Sequence, residues 1–584
     1  MSEAMREKAG RAMSVRERRR FYERELLRYA PVFLSGLDRC PVSASSGSAD
    51  REYWAWATKD FSNMDLQRGL LVPAYLYAVD FPGNEYHARP ALLQWVERGV
   101  RFWIAGQDRS GAFNHMYPYE SSWMAAAFTL VDLLETYKLL REEVPKDLGR
   151  DWLAAMERCC RCLLTRDETH GFISNHRLAA AAGLMGMAGL TGKARYRARA
   201  TELANEISRR QSPEGWLLEY EGFDPGYQTL ALHYLALYQD ASGLGAVPGE
   251  EAQKALAVSA YFIHPDNSVG GEYGSRNCPH FFPGGFETFA AASPVAEALV
   301  SHGVAGLADG SSCGLADADV RNQVPMATSY VYAHRYAVAG GDRDAAELPW
   351  RRTFERFWPE AGLYVRSDNR AYWIFGGSKG GVVKCYAKED GKLLFSSCGY
   401  EGSTASGKEL STLRWTTTPA MRIPGLNPGG ERPVSDRTVS LSAPFYRFHS
   451  KRLMTPYRGL LFRLFVLSIG RIRLCNELFR KYVIQLFITR RDGSDCLLDR
   501  SLAFAGDGET VLSDQVTLGA VPPLESLREH ASFVTMYMAS ARYFRRQELF
   551  QAWSSENLAG AFSDGALSRT RTVVFPDGQR DGEA

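Results

Sequence analysis

The sequence predicts a multidomain α and β protein in which an N-terminal (α/α) toroid of helical hairpins is followed by an antiparallel β-sandwich. Three observations carry this expectation. Apolar residues recur at helical spacing between about residue 53 and about residue 340. After Trp350 the texture changes to short alternating runs rich in β-branched and aromatic residues, split by Asp-Gly and Gly-Gly turns. A chain of 584 residues also exceeds what one compact core holds.

The expected domains are a basic N-terminal helix and linker over 1–50, a toroid carrying the catalytic site over 51–345, and a β-sandwich over 346–584 with a basic, apolar insertion near 451–491. Residues 15–30 read as a basic helix that Pro31 stops, because proline lacks an N–H and crowds the preceding turn. The Ser-rich stretch 42–48 lacks the composition of a packed core and reads as a linker. In the toroid, Trp123, Ala127, Leu130, Leu134 and Tyr137 fall on one face of a single helix. Further helices are expected over about 88–106, 146–163, 176–190, 193–210, 227–240, 249–264, 286–302 and 324–339, a number that suits hairpins closed into a ring. Strands are expected over 362–365, 371–375, 382–386 and 392–397.

Composition narrows the function classes. Lys and Arg (69) nearly balance Asp and Glu (67), so no global field marks a nucleic-acid binder and none is expected as a partner. Residues 1–28 are dense in charge, with no apolar core or small-residue cleavage site of a secretory signal, so a cytoplasmic location is expected. Of ten cysteines, Cys159, Cys160 and Cys162 cluster in an expected helix with no second pair at zinc-ligand spacing, and they read as buried, reduced thiols.

Residues 451–491 fit neither domain. They hold ten Lys or Arg and one acid, Glu477, interleaved with aliphatic and aromatic residues, too often interrupted by charge for a transmembrane helix. Two readings stand. The segment lies in a membrane interface, peripheral on the inner face of the cell membrane, with Arg463, Arg471, Arg473, Arg480 and Lys481 meeting anionic headgroups. Alternatively it is a pair of amphipathic elements covering the sandwich, its arginines reaching outward.

Three polar loops carry candidate chemistry. Ser174-Asn175-His176-Arg177 opens an Ala-rich helix. An amide beside an imidazole is what proton abstraction next to a carboxylate requires, one group blunting the charge and the other removing the proton; an Asn N-cap followed by an ordinary His is the bland alternative. The loop Glu219-Tyr220-Glu221-Gly222-Phe223-Asp224-Pro225-Gly226-Tyr227-Gln228 opens another helix, and the phenol of Tyr227 is either a general acid or a packing tyrosine. The long loop 270–287 holds Tyr273, Arg276, Asn277 and His280. Arg276 is suited to clamping a carboxylate and His280 to a second proton transfer or to carboxylate neutralisation, unless both simply pair with Glu272 or Glu287. A turn with His115 and Tyr119 has similar composition and belongs to the same rim. The expected catalytic residues are Asn175, His176, Tyr227 and His280. The expected substrate contacts are Arg276, Asn277, His115, Tyr119, Trp123, Arg177, Glu219 and Tyr273.

Taken together, an Asn-His pair opening one toroid helix, a Gly-Tyr-Gln about fifty residues later opening another, a His-bearing loop and then a sandwich resemble the heparinase II/III-like polysaccharide lyases over about residues 85–450. The run Tyr372-Trp373-Ile374-Phe375-Gly376-Gly377-Ser378-Lys379-Gly380-Gly381-Val382-Val383-Lys384 is similar to the strand and Gly-Gly turn that begin that family's second domain. The resemblance implies a lyase acting on an acidic, uronate-containing polysaccharide or oligosaccharide: Asn175 neutralises the C5 carboxylate, His176 takes the C5 proton, Tyr227 protonates the departing O4, and His280 and Arg276 assist. Two departures stand out. Where many members place a His and an Asp for a structural zinc, this chain reads Lys384-Cys385-Tyr386-Ala387-Lys388-Glu389-Asp390, so no metal and no cofactor are expected. Such degrading lyases are usually exported, whereas no export signal is read here.

Other readings are a uronyl C5-epimerase using the same proton abstraction, and a non-catalytic, membrane-associated protein of a surface-polysaccharide biosynthesis pathway. A hydrolase needs two carboxylates across a cleft, and Glu219, Glu221 and Asp224 all come from one loop.

Overall fold

The computed structural model of the protein describes residues 11–338, 343–417, 419–448, 455–484, 492–505, 509–531, 556–573 and 575. The first half is built from α1 (Val15–Gly36), α2 (Leu71–Ala78), α3 (Pro90–Ala105), α4 (Trp123–Leu140), α5 (Lys146–Thr165), α6 (Ser174–Thr191), α7 (Ala194–Arg210), α8 (Pro225–Ser242), α9 (Glu250–Ser259), α10 (Gly284–Ala290), α11 (Pro294–Asp309) and α12 (Val320–Tyr336). The even-numbered helices touch one another in succession and α12 returns to α2, closing an inner ring; α3, α5 and α7 run outside it in series, as do α9, α11 and α1.

Residue pattern separates the two rings. Outer α5 buries one stripe that includes Leu148, Trp152, Met156 and Cys159 and leaves its charged residues outside. Inner α6 is buried almost all round, and its small residues let neighbours close in: a Cβ on Gly183 would sit 3.0 Å from Leu130. The helix α2 escapes sequence reading for the same reason, since an apolar run with no polar face has no periodicity to detect.

Four expectations are corrected. Helix α1 continues through Pro31 to Gly36, because Tyr22, Leu26, Ala30, Phe33 and Leu34 are buried on both sides of the proline and hold the helix across the lost hydrogen bond. Nor is it a separate module: buried Arg18 forks to Glu287 and Glu297, both at 2.7 Å, and thereby locks α1 to α10 and α11. Stretch 42–48 is a folded turn in which Asp38 accepts from Cys40 N and Ser45 Oγ, and Gly47 (φ 89°) lies so close to α3 that a Cβ would fall 2.1 Å from Arg98 O. The helix expected over 286–302 breaks at Ser293-Pro294, where Ser293 Oγ caps α11.

In the second half, β1 (Phe354–Trp358), β2 (Leu363–Ser367), β3 (Ala371–Gly376), β4 (Val382–Ala387) and β5 (Leu393–Ser397) form a five-stranded antiparallel sheet in chain order. The second sheet holds β6 (Tyr400–Thr404), β7 (Glu409–Ser411), β8 (Ala420–Arg422), β9 (Arg437–Phe448), β10 (Asp492–Phe504), β11 (Thr510–Thr517), β12 (Leu524–Glu529) and β13 (Ala566–Val573), in the order β12-β6-β7-β9-β10-β11-β13 with β8 on β9. Period-two alternation assigns the layers. Trp373, Phe375 and Val383 meet Val439, Leu441, Leu502 and Phe504 of the second sheet, making a sandwich. Tyr372, Ile374 and Val382, on the other face, join the core of the helical domain. The two domains are thus fused across the first sheet, with Tyr372 Oη donating to Tyr261 O at 2.6 Å.

Between β9 and β10 the chain leaves as a helical hairpin, α13 (Pro456–Leu467) and α14 (Arg473–Ile484). The ends of the 451–491 insertion, 451–454 and 485–491, lie outside the described residues. Among the described residues, its hydrogen bonds, ion pairs and ring contacts to the rest of the chain run to the helical domain, correcting the reading in which it covers the sandwich. Among the described residues no helix is long and apolar enough to cross a membrane.

Candidate active site

A short antiparallel pairing joins the first two polar loops. Ile173 bridges Glu219, Ser174 N donates to Leu218 O at 3.1 Å and Tyr220 N donates to Phe172 O at 2.9 Å. This sets the start of α6 against Glu219 and Tyr220, which sequence spacing alone does not show. Asn175 is not the N-cap, which is Ile173; its Nδ2 donates to Glu219 Oε2 at 2.9 Å in a buried setting. Burial pushes the Glu219 carboxyl up to about 7, against the pull of Arg276 and His176. Near neutral pH the group is therefore divided between acid and carboxylate.

His176 gains a partner that the sequence reading missed. Its Nδ1 lies 2.9 Å from Glu168 Oε2. Burial alone would raise the Glu168 carboxyl, but the imidazoles of His176 and His170 and the guanidinium of Arg480 outweigh it and hold the group below the ordinary range. An ionised carboxylate only accepts, so Nδ1 donates and Nε2 is the basic nitrogen. The ring meets Phe128 edge-on (centroids 5.2 Å), Phe128 stacks on Tyr234 (5.3 Å), and Arg68 lies 4.6 Å over Phe128 while bonding Asp132 and the Tyr234 hydroxyl. The base therefore stands on a packed, ion-paired floor.

Asp224 organises the second and third loops. As N-cap of α8 it accepts Tyr227 N on Oδ1 (3.0 Å), and its Oδ2 accepts the N–H groups of Arg276 (2.8 Å) and Cys278 (3.3 Å). Gly226 permits the approach, since a Cβ there would sit 2.2 Å from Cys278 O. Arg276 consequently lies 4.7 Å over the ring of Tyr220 and 5.9 Å from that of Tyr227. Of the two acids named as alternative partners, Glu272 binds Lys384 (2.7 Å) and Glu287 binds Arg18. Tyr220, Asn277 and Tyr119 all adopt left-handed backbone (φ 58°, 54° and 60°), strain of the kind that surrounding structure must hold. The sandwich reaches in through the Gly-Gly turn: Lys379 Nζ donates to Ser275 O at 3.0 Å, and burial pulls this amine down to about 7.

The remaining expected residues divide. Tyr119 and Trp123 line a cavity of about 170 Å³ with Glu168, His170, Arg471 and Arg480. The turn holding half-buried His115 is tied by Glu120, which accepts His115 N (3.0 Å) and pairs with Arg480 of α14. Three expectations are corrected. Tyr273 is fully buried with its hydroxyl 2.7 Å from His264 Nε2, so it supports the loop from inside instead of meeting substrate. The guanidinium of Arg177 is engaged by Glu206 (2.6 Å) and Asp167 (3.1 Å). His280 is buried and pushed down to about 4, so at neutral pH it is an uncharged imidazole and not a cationic neutraliser. Glu168 had one visible signal, a polar Glu-Thr-His turn eight residues before His176; Lys379 had only its place in a Gly-rich turn.

No family model matches the sequence, and no curated protein matches it. Among solved structures the chain is similar to heparinase III (12% identity over 79% of this chain and 64% of that one, TM-score 0.46). It is also similar to the Streptomyces coelicolor A3 chondroitin AC lyase (13%, 80% and 66%, TM-score 0.44) and to the heparan sulfate lyase HepC from Pedobacter heparinus (10%, 85% and 68%, TM-score 0.41). The chain spans about two thirds of the length of these structures.

Proposed function

We propose that the chain cleaves a uronate-containing acidic polysaccharide or oligosaccharide by β-elimination. The observation that carries this reading is the His176–Glu168 pair, which fixes the proton on Nδ1 and leaves Nε2 of His176 as the accepting nitrogen, set one residue from an Asn175 amide that already holds a carboxyl group. A C5 proton is a poor acid while its own carboxylate is fully charged, so charge neutralisation must accompany the base. Asn175 and the acid form of Glu219 are hydrogen-bond donors for that carboxylate. His176 Nε2 takes the C5 proton, the C4–C5 double bond forms, the C4–O4 bond breaks, and O4 takes a proton from Tyr227. A cation beside a phenol stabilises the phenolate that donation leaves behind, and Arg276 stands in that position. Elimination moves protons and an electron pair only, so it calls for no redox cofactor.

The test is near-ultraviolet absorbance on a panel of uronate polymers, where a conjugated unsaturated uronate absorbs. A rise with the wild type that is lost in His176→Ala and Tyr227→Phe is the expected result; no rise on any acidic polymer refutes elimination. A second reading, C5 epimerisation, is favoured by the two phenols of Tyr220 and Tyr227 around one cation, since inversion needs a proton donor opposite the base. It predicts solvent deuterium at C5 without chain cleavage.

A further inference from the structure

The hairpin α13–α14 has two unlike sides. On its inner side Phe462 and Phe479 flank Tyr117 (5.7 and 6.1 Å), Asn476 accepts from the Tyr117 hydroxyl (2.5 Å) and donates to Tyr119 O (2.9 Å), and Arg463 and Arg480 pair with Asp60 and Glu120. These contacts fix the hairpin on the helical domain.

Among the described residues, the outer side is apolar and exposed. Tyr457, Leu460, Leu461, Leu464 and Leu467 recur at intervals of three and four or less along α13, and Leu474, Leu478 and Tyr482 recur at fours along α14. Each is between 45% and 70% exposed, and with Ile469 and Ile472 of the connecting turn they make up ten of the twenty exposed large hydrophobic side chains among the described residues, within 26 positions. A stripe this dense on a protein surface marks an interaction site. Its charge selects the partner. Residues 456–484 hold six cations and a single acid, Glu477, which Arg473 engages at 2.5 Å. Exposed Arg458 and Lys481 flank the stripe, and no carboxylate among the described residues pairs with them. Two copies of such a surface would bring like charges together, whereas an anionic lipid leaflet offers acyl chains to the leucines and headgroups to the cations.

We propose that this hairpin docks the protein on an anionic lipid surface, α13 and α14 lying in the interface plane with the leucine stripe toward the acyl boundary. The reading is independent of the reaction, and it brings the site close to the bilayer, because Arg471, Asn476 and Arg480 of the docked element also line the cavity beside Glu168 and His170.

The test is flotation of the full chain with phosphatidylcholine–phosphatidylglycerol vesicles and with pure phosphatidylcholine vesicles, alongside sedimentation velocity without lipid. Binding is expected to the mixed vesicles only, to weaken with salt, and to fall about 30-fold in Arg458→Ser/Lys481→Ser, at about fivefold per cation. Leu464→Glu and Leu478→Glu are expected to abolish it while leaving thermal unfolding unchanged, since both side chains already face solvent. Absence of flotation, equal binding to neutral vesicles, or a lipid-free oligomer dispersed by Leu478→Glu would each overturn the proposal, the last assigning the stripe to a second copy of the chain.

Discussion

Replacing Glu219 by Gln tests the electrostatics of the site without removing its shape. The carboxyl is held at about 7 in the folded chain against an ordinary value of 4.5. The folded state therefore binds this proton more tightly than the unfolded state, and wild-type stability must fall as pH rises from 4.5 towards 7 and level off above. At about 1.4 kcal/mol per pH unit the full loss is about 3 kcal/mol, of which about 2.5 kcal/mol develops between pH 5 and pH 8. The side-chain amide of the Glu219→Gln variant keeps a carbonyl for the Asn175 amide and does not titrate. Relative to wild type, the variant should gain about 2.5 kcal/mol across that interval, or about 3–4 °C in the melting of a helical domain of this size. Thermal unfolding followed by far-ultraviolet circular dichroism at both pH values reads the difference. An offset between the two proteins that stays constant from pH 5 to pH 8 would mean that Glu219 is an ordinary ionised carboxylate at neutral pH. The donor role given to it in elimination would then fail.

Glu168→Gln removes the charge that fixes the His176 tautomer, and kcat should fall about 100-fold with KM little changed, with no further loss when combined with His176→Ala; additive losses would separate the two residues. Lys379→Met tests the opposite sign. With the amine held at about 7 in the folded chain, below its ordinary 10.5, wild-type stability should rise by about 2 kcal/mol between pH 7 and pH 9, and the methionine variant, compared in parallel urea melts, should lack that rise. Arg18→Ala leaves Glu287 and Glu297 buried without their cation and should cost about 3–5 kcal/mol in denaturant unfolding, whereas an α1 that were a detachable module would lose almost nothing. Gly226→Ala forces a methyl into Cys278 O and should release the 270–278 loop, seen as faster amide hydrogen exchange there.

The helical ring was legible because outer helices such as α5 bury one stripe and leave the rest to solvent. The strand domain was legible by composition, since β3 is buried along its whole length and shows itself by aromatic and branched residues ahead of a Gly-Gly turn. What failed was local reasoning about elements whose surroundings decide. Pro31 would end an isolated helix, yet α1 continues because its packing on the helical ring buries it on both sides of the proline; α2 has no polar side to give it a period. The site divides in the same way. Loops with Asn175, His176, Tyr227 and Arg276 stand out by composition, but their joining depends on backbone pairing of 172–174 with 218–220 and on one carboxylate, Asp224, reaching three N–H groups.

Burial is the variable that sequence conceals most thoroughly, and at this site it changes the chemistry assigned to each residue. Tyr273 and His280 lie in the same loop as Arg276 and read as equally polar, yet burial makes one a core hydroxyl and the other a neutral imidazole. The same burial raises Glu219 towards neutrality, while His176 and His170 keep Glu168 ionised a short distance away. Two glutamates with equal intrinsic acidity thereby take opposite states at one pH. A base whose orienting carboxylate must stay charged, beside a group whose usefulness to an anionic substrate depends on its being uncharged, requires that asymmetry. It comes from the partners each carboxyl meets in the fold, which is why the acid form of Glu219 is the point at which the proposed reaction is most exposed to experiment.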